Sequence, residues 1–215
     1  MKDSSWLDRL AHDLRGPLMP LQTAAYLLRH GQVDPERQQQ LLALIERQAR
    51  RLASMIDELD DWSHAVERTL LVSREPCAPA LLLDDAIGAA GFGDDVRPAI
   101  VDDSGDARID GDPARLTQLL RTLLEYATRL QPARVGMRID GRELLVEVFG
   151  PSAGLDAGQL AALLEQPMPE PYDEGLGLRL LIARAIAEAH AGNLQAATGV
   201  AGGLRLACRL PLATG

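Results

Sequence analysis

The sequence predicts an α+β protein in two parts. An N-terminal helical hairpin pairs with a second hairpin into a dimeric four-helix bundle, and an α/β sandwich follows it. Three observations predict this. Apolar residues recur at three- and four-residue spacing from Leu7 to Val66, interrupted once at Gly31–Pro35. Short alternating segments and helical segments interleave after Pro79. The strands flanking Gly141 read as a hairpin within that second part.

The first helix is expected from about Ser5 to His30, with Ser4 or Ser5 as N-cap and a seam of Leu7, Leu10, Leu14, Leu18, Leu21, Ala25 and Leu28. Gly31-Gln32-Val33-Asp34-Pro35 is a tight break, with Asp34 as the next N-cap and Pro35 at the first helical position. The second helix runs to about Arg68. Its apolar positions Leu42, Ile45, Ala49, Leu52, Ile56, Leu59 and Val66 repeat near 3.5 residues. Two long helices with one seam each bury it fully only by pairing with a second hairpin, so a homodimer is expected. Residues 1–73 form this first unit. Arg74–Pro79 is a linker, and residues 79–215 form the second unit. Its expected order is a helix near Ala80–Ala90, a strand near Arg97–Val101 and a helix over Asp112–Leu130. Strands Ala133–Asp140 and Glu143–Phe149 come next, then helices Asp156–Glu165 and Leu176–His190 and a β-pair ending at Leu212.

Composition sets limits. The 215 residues are 47% hydrophobic but only 3% aromatic, so Leu and Ala must fill the core. A net charge of −9 argues against nucleic acid or an anionic membrane as partner. Cys77 and Cys208 are isolated and fit neither a disulfide framework nor a metal cluster; buried free thiols are expected. No stretch has the apolar length of a membrane span and the N-terminus has no signal-peptide core, so a cytosolic protein is expected. Because the first helix begins almost at residue 1, no further domain is expected ahead of it.

His12 is the candidate reactive group. At about 100° per residue it stands roughly 200° from both Leu10 and Leu14 on its helix. It therefore faces solvent, with Asp13 adjacent. An exposed imidazole beside a carboxylate on a rigid helix suits a nucleophile whose second ring nitrogen is held by its neighbour. The stretch His12-Asp13-Leu14-Arg15-Gly16-Pro17-Leu18 resembles the H-box of two-component sensor histidine kinases. The resemblance implies that His12 is the phosphorylated residue, Asp13 its acidic helper and Pro17 a helix-bending proline. Gly16 stands where that family has Thr or Asn, which puts phosphatase activity in doubt.

The second unit resembles the ATP-binding domain of the same family, and its signatures depart from the pattern. Asp112 to Ala127 aligns with the N-box helix, but the two asparagines fall at Thr122 and Tyr126. The second normally holds Mg²⁺, and a tyrosine ring would fill phosphate space. Glu125 is expected to point elsewhere. In Val146 to Leu155 the adenine-reading aspartate falls at Gly150 and the first glycine at Ser152, ahead of Gly154. Asp173-Glu174-Gly175-Leu176-Gly177-Leu178 keeps Gly-Leu-Gly-Leu but sets two carboxylates beside it, so its glycines are read as packing residues. The lid between Gln166 and Tyr172 is short.

These features together resemble the dimeric histidine phosphotransferases derived from kinases. The expected function is relay of phosphoryl groups between His12 and receiver-domain aspartates of response regulators. Asp13 orients the imidazole and Arg15 supports the phosphoryl oxygens, while Leu18, Met19, Gln22 and Tyr26 help dock the partner. For Leu18, bundle packing is the competing role. ATP binding is expected to be lost and no cofactor or metal is assigned, the Mg²⁺ belonging to the partner's receiver domain. Two alternatives stay open: a non-catalytic pseudokinase that docks regulators or a partner kinase, and an active kinase with an atypical ATP site. His30 is read as capping its helix, His64 and His190 as surface residues, and Trp62 as anchoring the bundle end. Asp57, Glu58, Asp60 and Asp61 are read as a solvated acidic face.

Overall fold

The structure, a computed structural model, describes residues 4–31, 33–129, 131–151, 155–169, 171–172, 175–199 and 202–213. Two long helices lead: α1 over Ser4–His30 and α2 over Pro35–Glu67. Asp34 caps α2 by accepting from the Arg37 N–H at 2.8 Å, with Pro35 at the first position, as expected. Arg68 closes α2 at φ 59°. Both prolines of α1, Pro17 and Pro20, lie inside the helix. Ser4 and Ser5 both fall within α1, so neither is the N-cap that the sequence suggested.

The α2 helix carries two adjacent seven-residue stripes. Leu41, Gln48 and Met55 are buried, and Trp62 continues their line. One position on, Leu42, Ala49 and Ile56 are exposed, Leu42 at 45% and Ile56 at 59%. Trp62 lines a cleft with Leu164, Leu181 and Arg184 of the second unit, while Leu10, Leu14 and Leu59 pack against a core cluster that Met55 of α2 joins to that unit.

Beyond α2 come β1 (Glu75–Cys77), α3 (Pro79–Ala90), β2 (Ala99–Asp103), β3 (Ile109–Gly111), α4 (Pro113–Thr128), β4 (Arg134–Asp140) and β5 (Glu143–Gly150). Then follow α5 (Ala157–Ala162), α6 (Arg179–Ala189), β6 (Asn193–Thr198) and β7 (Leu204–Pro211). The five-stranded sheet has the order β2-β4-β5-β7-β6, with β2 parallel to β4 and the other pairs antiparallel. The strand expected at Arg97–Val101 begins two residues later because Pro98 precedes it. Two three-residue strands, β1 and β3, went unread and pair antiparallel through Cys77↔Ile109. The linker therefore contains a strand that ties back to the second unit.

Register puts Val135, Met137, Leu144, Val146, Val148, Leu206 and Cys208 on the buried face, where α4 and α6 pack with Leu116, Leu119, Leu123, Leu180 and Ile186. The opposite face carries Glu147 between Arg138 and Arg205. Burial alone would raise the Glu147 pKa, but the two guanidiniums outweigh it and hold the carboxyl below its ordinary value. Cys77 and Cys208 are buried free thiols, and burial pushes Cys208 up to about 12.

His190 corrects a sequence reading: it is 1% exposed rather than on the surface. Its Nδ1 donates to the Ile186 carbonyl at 2.8 Å, and its Nε2 accepts from the Asp112 N–H at 3.0 Å. Burial pushes its pKa below the usual value. Gly111 makes room for the ring, since a Cβ there would stand 2.6 Å from Cδ2 of His190. Asp112 caps α4 through the Ala114 and Arg115 N–H groups and also accepts from Val72 and Ser73. Burial opposes its ionisation, but these four donors prevail and lower its pKa.

Candidate functional site

His12 projects from α1 with its side chain 87% exposed. Its Nδ1 lies 3.3 Å from Oδ1 of Asp13. Nδ1 faces the carboxylate, and with a proton on Nδ1 the lone pair would stand on Nε2. Arg15, three residues on, is exposed and shares that side of the helix. At about 100° per residue, Met19, Gln22 and Tyr26 continue the same strip, whereas Leu18 stands roughly 120° to one side. Met19 is 65% exposed, Tyr26 63% and Leu18 42%. Tyr26 is held by stacking on His30 at 4.6 Å, and Nδ1 of His30 bonds the Tyr26 carbonyl at 3.2 Å in the last turn.

The second unit presents a cleft of about 510 Å³ lined by Tyr126, Arg129, Leu155, Leu163 and Met168 among others. Tyr126 is 1% exposed. Its ring meets Tyr172 edge-on at 5.4 Å, and the Arg129 guanidinium lies 4.3 Å from its centre. Among the described residues its hydroxyl, which is buried, meets no hydrogen-bond partner. Burial raises its pKa, with Arg129 pulling the other way. Thr122, one turn earlier, is also buried. Gly150 lies against α4, where a Cβ would meet the Ala127 carbonyl oxygen at 2.6 Å. Ser152, Gly154, Asp173 and Glu174 lie outside the described residues.

Gly177 adopts φ +74°, and a Cβ on it would sit 2.4 Å from the Met168 carbonyl oxygen. The Met168 N–H donates to the Gly177 carbonyl at 3.0 Å. Close packing accounts for this glycine, as the sequence suggested.

The acidic stretch of α2 divides: Asp57 and Asp60 are exposed, as the sequence suggested, whereas Glu58 and Asp61 are not. Glu58 is 4% exposed, and its Oε2 accepts from the N–H groups of Leu176 at 3.1 Å and Leu178 at 3.3 Å. Arg179 spans the junction, reaching Oε1 of Glu58 at 3.4 Å, Glu125 at 3.0 Å and Ser54 at 3.0 Å. Asp61 accepts from Arg115 and from Gln118 at 2.6 Å, while Arg115 also bonds the Leu70 carbonyl at 3.1 Å. This face is a docking seam between the hairpin and the second unit. Ser54 lies 19 residues beyond the start of α2, and His12 lies 18 before the end of α1. At 1.5 Å per residue these are about 28 and 27 Å from the turn, so the seam reaches the level of His12. Sequence reasoning missed Glu58 because the partner amides are 118 and 120 residues away.

Among the described residues, no group of three or more His, Cys, Asp or Glu is placed to hold a metal ion, and no helix is long and apolar enough to cross a membrane.

The chain matches the profile of the His Kinase A (phospho-acceptor) domain over residues 3–67. It matches that of the histidine kinase-, DNA gyrase B- and HSP90-like ATPase over residues 111–214. Sensor protein TorS of Escherichia coli K12 is 30% identical over 222 residues, covering 97% of this chain and 24% of that protein. Sensor histidine kinase CpxA of the same strain is 28% identical, covering 96% and 46%. The chain thus spans about a quarter of the length of TorS. The fold is shared with histidine kinase AdeS of Acinetobacter baumannii, at TM-score 0.69, 18% identity and coverage of 94% of this chain and 98% of that one. It is also shared with histidine kinase ThkA, solved in complex with response regulator protein TrrA. The TM-score is 0.70 and the identity 16%, over 98% of this chain and 62% of that one.

Proposed function

The chain belongs to the two-component histidine kinase family, and from that membership we propose that it relays phosphoryl groups through His12 to and from receiver-domain aspartates. The observation that carries this reading is the pose of His12, with Nδ1 held at 3.3 Å from Asp13 and Nε2 open to solvent. In the forward step, the Nε2 lone pair attacks the phosphorus of a receiver's aspartyl phosphate. The N–P bond forms as the P–O bond breaks, and the receiver aspartate leaves as carboxylate. The ring becomes cationic, and Asp13 stabilises its Nδ1–H. Arg15 pairs with the phosphoryl oxygens. Met19, Gln22 and Tyr26 meet the partner below His12, with Leu18 at the margin. The reverse step uses the same groups. The exposed stripe of Leu42, Ala49 and Ile56 supports pairing of two hairpins into a homodimeric bundle.

A magnesium nucleotide does not fit the residues present. Tyr126 fills with a buried ring the place of a short amide ligand, and Gly150 has no carboxylate and no room for a Cβ. No step of the relay draws on ATP. One observation favours a second reading, an ATP-fed kinase: the cleft beside Tyr126 retains about 510 Å³, and the ATPase profile extends over it.

Labelling separates these readings and the non-catalytic pseudokinase. The protein is incubated with labelled ATP alone, then with a labelled, phosphorylated receiver domain, and both are repeated with His12→Ala. Label taken only from the receiver and lost in the variant is the expected result. Label from ATP alone would overturn the relay reading. Receiver binding without label would leave a docking pseudokinase.

A further inference from the structure

The cleft beside Tyr126 measures about 510 Å³, within the range of about 300–1,000 Å³ usual for small-molecule sites. A magnesium nucleotide asks for oxygen ligands on the metal and several donors for its phosphates. The described lining has no carboxylate, and Tyr126 walls one side with a ring. Gln159 has its side-chain oxygen engaged, accepting from the Asp156 N–H at 2.9 Å in the α5 cap. Leu155, Leu163 and Met168 make the wall largely apolar. Arg129 is the one charged residue of the described lining, half-buried, with its guanidinium 4.3 Å from the centre of the Tyr126 ring. Its natural partner on the helix is Glu125, one turn back, but that carboxylate pairs with Arg121 and with Arg179. Among the described residues Arg129 therefore has no counter-ion, in a chain of net charge −9. A half-buried cation against apolar walls is stabilised by an anion brought from outside. A guanidinium set over an aromatic face keeps its N–H fork in its own plane, where a carboxylate fits.

We propose that this cleft binds a small apolar carboxylic acid in place of a nucleotide. Its flat hydrophobic body lies on Leu155, Leu163 and Met168, and its carboxylate pairs with Arg129. One charge suits one guanidinium, and the apolar wall gives the rest of the ligand no polar partner to lose. The inference rests on the misfit of a magnesium nucleotide and stands whether or not His12 accepts phosphoryl groups.

The test titrates the whole chain, methyl-labelled at methionine, with 2-naphthoate and with its neutral counterpart 2-naphthamide. Calorimetry gives the affinities and methyl resonances give the place. Of the five methionines, Met168 lines the cleft, so its signal should shift while those of Met19 and Met55 stay. Naphthoate should bind at least about tenfold tighter than naphthamide. In Arg129→Gln the two affinities should come within about twofold of each other, through loss of naphthoate binding alone. Arg129→Lys keeps the charge and should hold a preference of at least about threefold, which separates loss of the cation from loss of the cleft. Absence of naphthoate binding, equal affinity for the two probes in the wild type, or a preference that survives Arg129→Gln would overturn the assignment. MgATP that displaces naphthoate at a lower concentration than naphthamide does would overturn it too, by returning the cleft to nucleotide. That failure belongs to the nucleotide misfit, whereas a cleft that takes neither MgATP nor naphthoate fails this inference alone. His12→Ala should leave every readout unmoved, so the relay is tested apart from the cleft.

Discussion

The backbone N–H of Asp112 donates to Nε2 of His190 at 3.0 Å, joining the head of α4 to the foot of α6 across 78 residues of chain. Since Nδ1 donates to Ile186, the ring is held neutral with both nitrogens engaged.

Acid should therefore loosen the second unit in a defined window. Burial holds the folded-state pKa of His190 below the ordinary 6.5 that it regains on unfolding. Below 6.5 the unfolded chain binds the extra proton, so stability falls with pH until the folded pKa is reached. Asp112 and Glu147 have lowered pKa values, so their contributions are complete above the ordinary carboxylate range and fade only as pH drops through it. Urea midpoints should drop between pH 7 and pH 5.5 for the wild type. In His190→Asn the drop should shrink, from a lower starting value; an unchanged drop would reassign the window.

Asp112→Ala removes a helix cap and leaves the Val72 and Ser73 amides without their acceptor. A loss of about 2–4 kcal/mol is expected. Asp112→Asn retains an acceptor and should lose less than half of that, as read from denaturant unfolding.

Tyr126 should respond in opposite senses to two substitutions. Its buried hydroxyl has no partner among the described residues, so Tyr126→Phe should leave the melting temperature equal or higher. Tyr126→Ala opens a cavity between α4 and Tyr172 and should lose about 3–5 kcal/mol. A Phe variant that melts well below the wild type would show that the hydroxyl is engaged.

Gly177→Ala forces a side chain into φ +74° and against the Met168 carbonyl. The left-handed backbone alone is worth about 1–3 kcal/mol. Calorimetry should show at least that loss.

Asp13→Asn keeps the size of the neighbour of His12 and removes its charge. Phosphoryl acceptance from a receiver domain should slow by about 10–100-fold, with urea unfolding unchanged because the site is exposed.

The hairpin was legible because its signals are local: a period, a cap at Asp34 and a break. His12 was legible for the same reason, since its face follows from the leucines two residues either side. Glu58, Asp61 and His190 were not. Each is a charged or titratable residue whose partner comes from another element, and α2 shows in its own sequence no trace of the α6 amides. The three-residue strands β1 and β3 are too short to display a period of two. Thr122, Tyr126 and Gly150 were recognised as departures, but only packing shows what replaced the missing groups: a ring under Arg129 and a glycine pressed on Ala127.

The two stripes of α2 are one residue apart, an angular offset of about 100°. Leu41, Gln48 and Met55 look inward while Leu42, Ala49 and Ile56 look outward. The helix is therefore engaged on one side and open on the other. It cannot turn by even half that offset to bring the outer stripe against another surface without dragging Glu58 off the α6 amides.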